Sequence, residues 1–195
     1  MILLVDHQDS FTRNLEHQLS FLDEVLVQDR RKITEKSIEA AQLIVLSPGP
    51  GKPRDYPETI EIVSKLREQV PILGICLGFQ MLMEMDGASI IRQSQVLHGV
   101  CTEISTDTES IIYQGFSSTI RVARYHSLQV DPKSLSKLPS SVRITSHDSI
   151  RQVPMSFEDE TRKLFGLQYH PESFLTENGN KLIENIRNAC MDEIG

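Results

Sequence analysis

Pro71-Ile72-Leu73-Gly74-Ile75-Cys76-Leu77-Gly78-Phe79-Gln80 opens with four apolar residues and passes directly into a helical pattern. The run Ile72 to Ile75 reads as a strand buried on both faces. The glycines two before and two after Cys76 mark a strand-to-helix corner too tight for Cβ atoms at those places. A strand that feeds a helix in this way is half of a βα unit, and the flanking sequence shows whether the unit repeats.

It repeats. Ile2 to Val5, Glu24 to Val27 and Leu43 to Leu46 are further short apolar runs. Phe11, Leu15, Leu19 and Leu22 recur at helical spacing behind Ser10 as N-cap, and Ile60, Val63 and Leu66 do so behind Pro57-Glu58. Alternation of strand and helix over the first 86 residues predicts an α/β fold, a doubly wound, mostly parallel central sheet flanked by helices. Ligands then sit at the carboxyl ends of the strands. In the middle, Val96 to Ile104, Ile111-Ile112, Ile120 to Arg124 and Val142 to Thr145 read as strands without long helices between them, so a small additional antiparallel sheet is expected. Leu164 to Tyr169 reads as a returning strand, and Leu182, Ile186, Ala189 and Cys190 as a closing helix. With 195 residues, 39% of them hydrophobic, a single domain over 1–195 is expected.

A net charge of -7 offers no footprint for nucleic acid or anionic lipid. The basic run Arg30-Arg31-Lys32 reads as a solvated loop. Met1 to Val5 lacks a basic flank and is too short for a signal peptide. Val70 to Met83, broken by Pro71 and Gln80, falls short of the ~20 residues of a membrane span. Three cysteines, widely spaced and without a Cys-x-x-Cys pair, argue against a disulfide framework or a zinc site and for a reducing cytoplasm.

One of those cysteines has a setting for chemistry. A side chain at the corner is pushed out of the fold beside a helix N-terminus, the nucleophile-elbow arrangement with sulfur in place of a serine oxygen. The plain alternative is a buried thiol at a strand end, the reading that suits Cys101 and Cys190. Among the histidines, His170 follows a strand at the sheet's carboxyl edge, and Glu172, two residues on, would share its side of an extended backbone and orient its ring. His7, His17 and His147 read as satisfied or solvated, whereas His98 and His126 stay open. Ser47-Pro48-Gly49-Pro50-Gly51-Lys52-Pro53 is a stiff loop able to fix a backbone N–H, so the amides of Gly51 and Leu77 are candidates for an oxyanion site. No Gly-Lys-Ser/Thr triplet closes it, so it is not a phosphate loop.

Gly-Ile-Cys-Leu-Gly-Phe-Gln at 74–80, Ser-Pro-Gly-Pro-Gly at 47–51 and His-Pro-Glu at 170–172 together resemble the class I glutamine amidotransferases, whose fold is flavodoxin-like. Asp9-Ser10-Phe11-Thr12, Asn14-Leu15 and Arg124-Tyr125-His126-Ser127-Leu128 resemble the branch serving chorismate, the small subunits of anthranilate synthase and aminodeoxychorismate synthase. The resemblance implies Cys76 as nucleophile, His170 as base and Glu172 as its partner, with Gly49, Pro50, Gly51, Gln80, Ser127 and Leu128 lining a pocket for L-glutamine. It implies hydrolysis to glutamate and ammonia without metal or organic cofactor, and a partner that takes the ammonia, namely a chorismate-utilising synthase large subunit. Arg13 and Val100 depart from the family pattern, an aromatic residue and a lysine being usual there, and mark candidate partner contacts. Two rival readings are a cysteine peptidase or deglycase of related fold, and a non-catalytic regulatory subunit with a receiver-like acidic site at Asp6 and Asp9.

Overall fold

The computed structural model describes residues 1–93, 97 and 99–191. Five parallel strands form one half of a nine-stranded sheet: β1 (Ile2–Asp6), β2 (Val25–Asp29), β3 (Leu43–Leu46), β4 (Ile72–Ile75) and, much later in the chain, β11 (Leu164–Leu167). Strands β5 (Ile90–Arg92) and β8 (Leu128–Val130) pair as a separate antiparallel ribbon. The other half of the sheet is antiparallel and consists of β6 (Val100–Thr106), β7 (Thr119–Arg124), β9 (Arg143–Asp148) and β10 (Pro154–Asp159). The order across the sheet is β2-β1-β3-β4-β11-β10-β9-β6-β7. The helices are α1 (Thr12–Ser20), α2 (Glu35–Glu39), α3 (Pro57–Leu66), α4 (Leu77–Met85) and α5 (Gly179–Met191).

The apolar runs are continuous because helices cover both faces. Alternate residues divide between them. Ile2, Leu4, Val45, Leu73 and Ile75 pack with Leu15 and Leu19 of α1 and with Leu182, Ile183 and Ile186 of α5. Leu3, Val5, Ile44, Leu46 and Ile72 pack with Val63 of α3 and with Phe79, Leu82 and Met83 of α4. Each fully buried side chain of this kind contributes about 1.5–3 kcal/mol, so shifting one strand by one residue would exchange both faces at once.

Several local expectations are corrected. Ile111 and Ile112 form a turn rather than a strand. The sequence reading does not anticipate β10, although all six of its residues are buried. The strand expected over Leu164 to Tyr169 ends at Leu167, and of the run beginning at Val96 only Val100 onward is strand, Val96 itself lying outside the described residues. Ser10 does not cap α1: Phe11 occupies that position without a side-chain bond, and Asp9 accepts from the Phe11 and Thr12 amides instead. Arg30 is not solvated, being paired with Glu58 and stacked over the Tyr56 ring.

The chain turns in opposite directions from β1, to β2 on one side and β3 on the other, which creates a crevice at the carboxyl ends of the strands. The segments leaving β1, β3, β4 and β11 all emerge on that edge.

Candidate active site

Cys76 lies between β4 and α4 with φ 52° and ψ -93°, a conformation a residue with a Cβ rarely adopts. The flanking glycines make it possible. A Cβ on Gly74 would stand 2.4 Å from the Gly78 carbonyl carbon, and one on Gly78 would stand 2.5 Å from the Leu46 carbonyl oxygen. Helix α4 therefore starts pressed against β3 and β4, and Cys76 is held above them, with its amide donating to the Leu167 carbonyl at 2.8 Å and 7% of its surface exposed. Leu77 opens α4, where the first backbone N–H groups point out of the helix end.

Pairing of β4 with β11 sets Leu167 opposite Ile75, so the residues after β11 arrive beside the cysteine. His170 is 2% exposed, and its backbone is fixed from both sides: its amide donates to the Ala123 carbonyl at 3.1 Å, and its carbonyl accepts from Thr176 Oγ1 at 2.6 Å. The rings of Phe11 and Tyr125 pack against the imidazole with centroids 5.1 and 5.0 Å away. Its Nδ1 lies 2.6 Å from Glu172 Oε1. The two side chains meet through a turn, closed by the Ser173 amide on the His170 carbonyl, and not along the extended segment that the sequence predicts.

His170 Nε2 is buried, with no hydrogen-bond partner among the described residues. Burial opposes a positive charge on this ring, yet interaction with the Cys76 thiol and the Glu172 carboxylate outweighs it and holds the His170 pKa well above its ordinary value. Imidazole and carboxylate are thus joined directly, with the Cys76 sulfur near enough to act on the charge of the ring. Among the described residues the second carboxylate oxygen of Glu172 has no hydrogen-bond partner.

The remaining candidates fall into place to different degrees. Gly49 packs against Leu77, its hypothetical Cβ meeting Leu77 Cδ2 at 2.6 Å, which sets the proline-glycine loop beside the start of α4. The Tyr56 hydroxyl donates to the Pro50 carbonyl at 2.6 Å, and Gly51 holds a turn at φ 78°. Gln80 donates from Nε2 to the Leu128 carbonyl at 3.2 Å and to Gln168 Oε1 at 3.0 Å. Ser127 is fixed through its carbonyl by the Gln93 amide. Sequence reasoning does not single out Gln168, Thr176, Phe11 or Tyr125 as site residues. Their signal is their place in or beside the Asp-Ser-Phe-Thr, Tyr-His-Ser and His-Pro-Glu segments.

His126 proves structural. Arg124 Nε donates to its Nε2 at 3.0 Å, and its Nδ1 bonds to the Leu128 carbonyl at 2.7 Å. Burial, aided by the Arg124 charge, brings its pKa down to about 3, so the ring is neutral. Arg124 is in turn paired with Asp148 in the interior. His7 is buried between Ser47 and Thr59 hydroxyls, and His17 is exposed on α1. His147 belongs to β9, and His98 lies outside the described residues. Asp6 accepts from the Gln8 amide and the Thr12 hydroxyl, so both acidic residues of the receiver-like reading close the turn into α1. Cys101 donates to the Leu175 carbonyl, and burial pushes the Cys190 thiol up to about 12. Among the described residues no cluster of His, Cys, Asp or Glu could hold a metal, and no helix is long and apolar enough to cross a membrane.

Comparison with known proteins identifies the family. Aminodeoxychorismate synthase component 2 of Escherichia coli (strain K12) is 36% identical over 95% of this chain and 98% of its own. Anthranilate synthase component 2 of Cyanophora paradoxa is 37% identical over 97% and 99%. Aminodeoxychorismate/anthranilate synthase component 2 of Bacillus subtilis (strain 168) is 32% identical over 100% and 99%. Among solved structures, a putative GMP synthase subunit from Thermoplasma acidophilum superposes with a TM-score of 0.83 at 24% identity, covering 97% of this chain and 92% of that one. A glutamine amidotransferase from Thermotoga maritima gives 0.74 at 19%, with 98% of each chain covered, and these two likenesses concern the fold alone. The profile of the family described as Glutamine amidotransferase class-I matches residues 3–189, and with an elbow cysteine, a paired histidine and relatives aligned nearly end to end, the chain belongs to that family.

Proposed function

We propose that this protein hydrolyses L-glutamine to glutamate and ammonia through Cys76, His170 and Glu172, and passes the ammonia to a synthase subunit that aminates chorismate. The observation that carries the reading is a strained cysteine at the head of α4 whose sulfur acts on the charge of a buried histidine, itself bonded to a carboxylate two residues on. In the first step the Cys76 thiolate attacks the carboxamide carbon, and the carbonyl electrons move onto oxygen, where the amides of Gly51 and Leu77 receive the charge. The C–N bond then breaks as His170, held by Glu172, gives its proton to the departing nitrogen. This releases ammonia and leaves a glutamyl thioester and a neutral imidazole. Water attacks the thioester carbon while the imidazole takes one of its protons. Collapse expels the thiolate, frees glutamate and restores the starting pair.

Gly49, Pro50, Gln80, Ser127 and Leu128 would line the glutamine pocket, a reading supported by the packing of Gly49 on Leu77 and by the bond from Gln80 to the Leu128 carbonyl. The synthase partner is supported by relatives named as second components of two-component enzymes. Exposed apolar side chains fit a covered surface: Phe174, two residues beyond Glu172, is 92% exposed and Ile150 91%. Relatives of similar identity carry either synthase name, so the partner selects the amine product. The test is ammonia release from free glutamine, with and without the synthase. Cys76→Ser is expected to abolish it, and mass analysis of the product from chorismate, glutamine and the co-purified partner identifies the acceptor reaction. Peptide cleavage without ammonia release would overturn the reading.

A further inference from the structure

We infer that Gln168 is part of the nucleophile: its side-chain amide donates to the Cys76 sulfur and favours the thiolate, and Gln80 determines which way that amide points. The inference rests on the proposal that Cys76 is the attacking group. Gln168 is fully buried in the step between β11 and His170, and its Nε2 lies 3.7 Å from Cys76 Sγ. An amide in such a place is ambiguous until its other end is fixed. Here it is fixed twice over. Gln80 Nε2 sits between two acceptors, the Leu128 carbonyl and Gln168 Oε1. A nitrogen must occupy that position, so oxygen of Gln168 must face it and nitrogen of Gln168 must face the sulfur.

The far end of the row is rigid. The Leu128 carbonyl also bonds to His126 Nδ1, His126 is gripped by Arg124, and Arg124 is paired with buried Asp148. A donor oriented in this way bonds more strongly to a charged sulfur than to a neutral one, and so favours the charged form. The benefit recurs within the cycle, because the sulfur becomes an anion again when the thioester collapses. Gln168 moves no proton and forms no covalent bond.

The experiment measures the rate at which iodoacetamide alkylates Cys76 across pH in the full chain, read from the mass of the Cys76 peptide so that Cys101 and Cys190 do not interfere. Gln168→Met keeps the side-chain length and removes the donor. Its alkylation midpoint is expected to rise by about one pH unit, and its rate below the midpoint to fall roughly threefold, the lost thiolate being partly offset by greater intrinsic nucleophilicity. Glutaminase kcat should fall while KM stays within about twofold. Gln80→Met, which frees the Gln168 amide to turn, should move the midpoint in the same direction by less, and it decides the matter if the first variant does not fold. Folded variants, verified by circular dichroism, whose midpoints coincide with wild type would overturn the inference. Shifted midpoints in a protein that releases no ammonia would keep the sulfur donor and reject only the proposed activity.

Discussion

Replacing His7 by glutamine should make the fold less sensitive to acid. His7 is 1% exposed at the end of β1, where its amide and Nδ1 both meet Ser47 Oγ and its Nε2 meets Thr59 Oγ1, so it braces the start of the proline-glycine loop. Burial dominates its titration; a backbone bond at Ser47 favours the charged form and the Arg30 charge opposes it, with the net result a pKa lowered to about 4. In the unfolded chain the ring titrates near 6.5. Between those values the unfolded chain holds a proton that the folded chain lacks, so stability falls as pH drops through that window. From pH 7.5 to pH 5 the loss attributable to this ring is about 2 kcal/mol. Glu158, pushed up to about 7 chiefly by burial, works in the opposite direction, because its folded form takes up a proton before its unfolded form does. That contribution is present in both proteins and cancels in their difference. Urea unfolding of wild type and His7→Gln at the two pH values gives the difference directly. A stability gap between them that does not narrow toward acid would refute the assignment of His7 as a buried neutral imidazole.

Two further substitutions test the corner and the pairing of His170 with Glu172. Gly78→Ala places a methyl group 2.5 Å from the Leu46 carbonyl oxygen, and the resulting shift of α4 should cost about 3 kcal/mol or more, visible as a lower melting temperature. Glu172→Gln keeps the shape and removes the charge on His170, so kcat for glutamine hydrolysis should drop on the order of 10²–10⁴-fold with the fold intact; an unchanged kcat would remove Glu172 from its orienting role.

The parallel half of the sheet was legible because β1, β3, β4 and β11 are buried on both faces and must be apolar throughout. The cysteine corner was legible because glycines at two fixed offsets are the sequence trace of close backbone approach. What escaped was polar burial. Strand β10 reads Pro-Met-Ser-Phe-Glu-Asp, yet Glu158 is buried against the Ile112 amide and Arg143, while Asp159 is buried against Ser141 and Arg162. Neither periodicity nor composition reveals such pairings, since the partners come from other elements. Ile111 and Ile112 are not a strand for the complementary reason: Ile112 is buried, and Ile111 partly so, from a turn in which a distant carboxylate satisfies the Ile112 amide. Gln168 was invisible in the same sense, a polar residue whose meaning depends on the sulfur and the amide it faces.

Strand β11 slots between β4 and β10, so a segment made late in synthesis completes the middle of the sheet rather than its border. More than ninety residues separate Cys76 from His170 along the chain, an interval of roughly 5–20 s at ordinary ribosomal speed. Throughout that delay the nascent polypeptide carries Cys76 without His170, and the two come together in a single event, when the last central strand inserts.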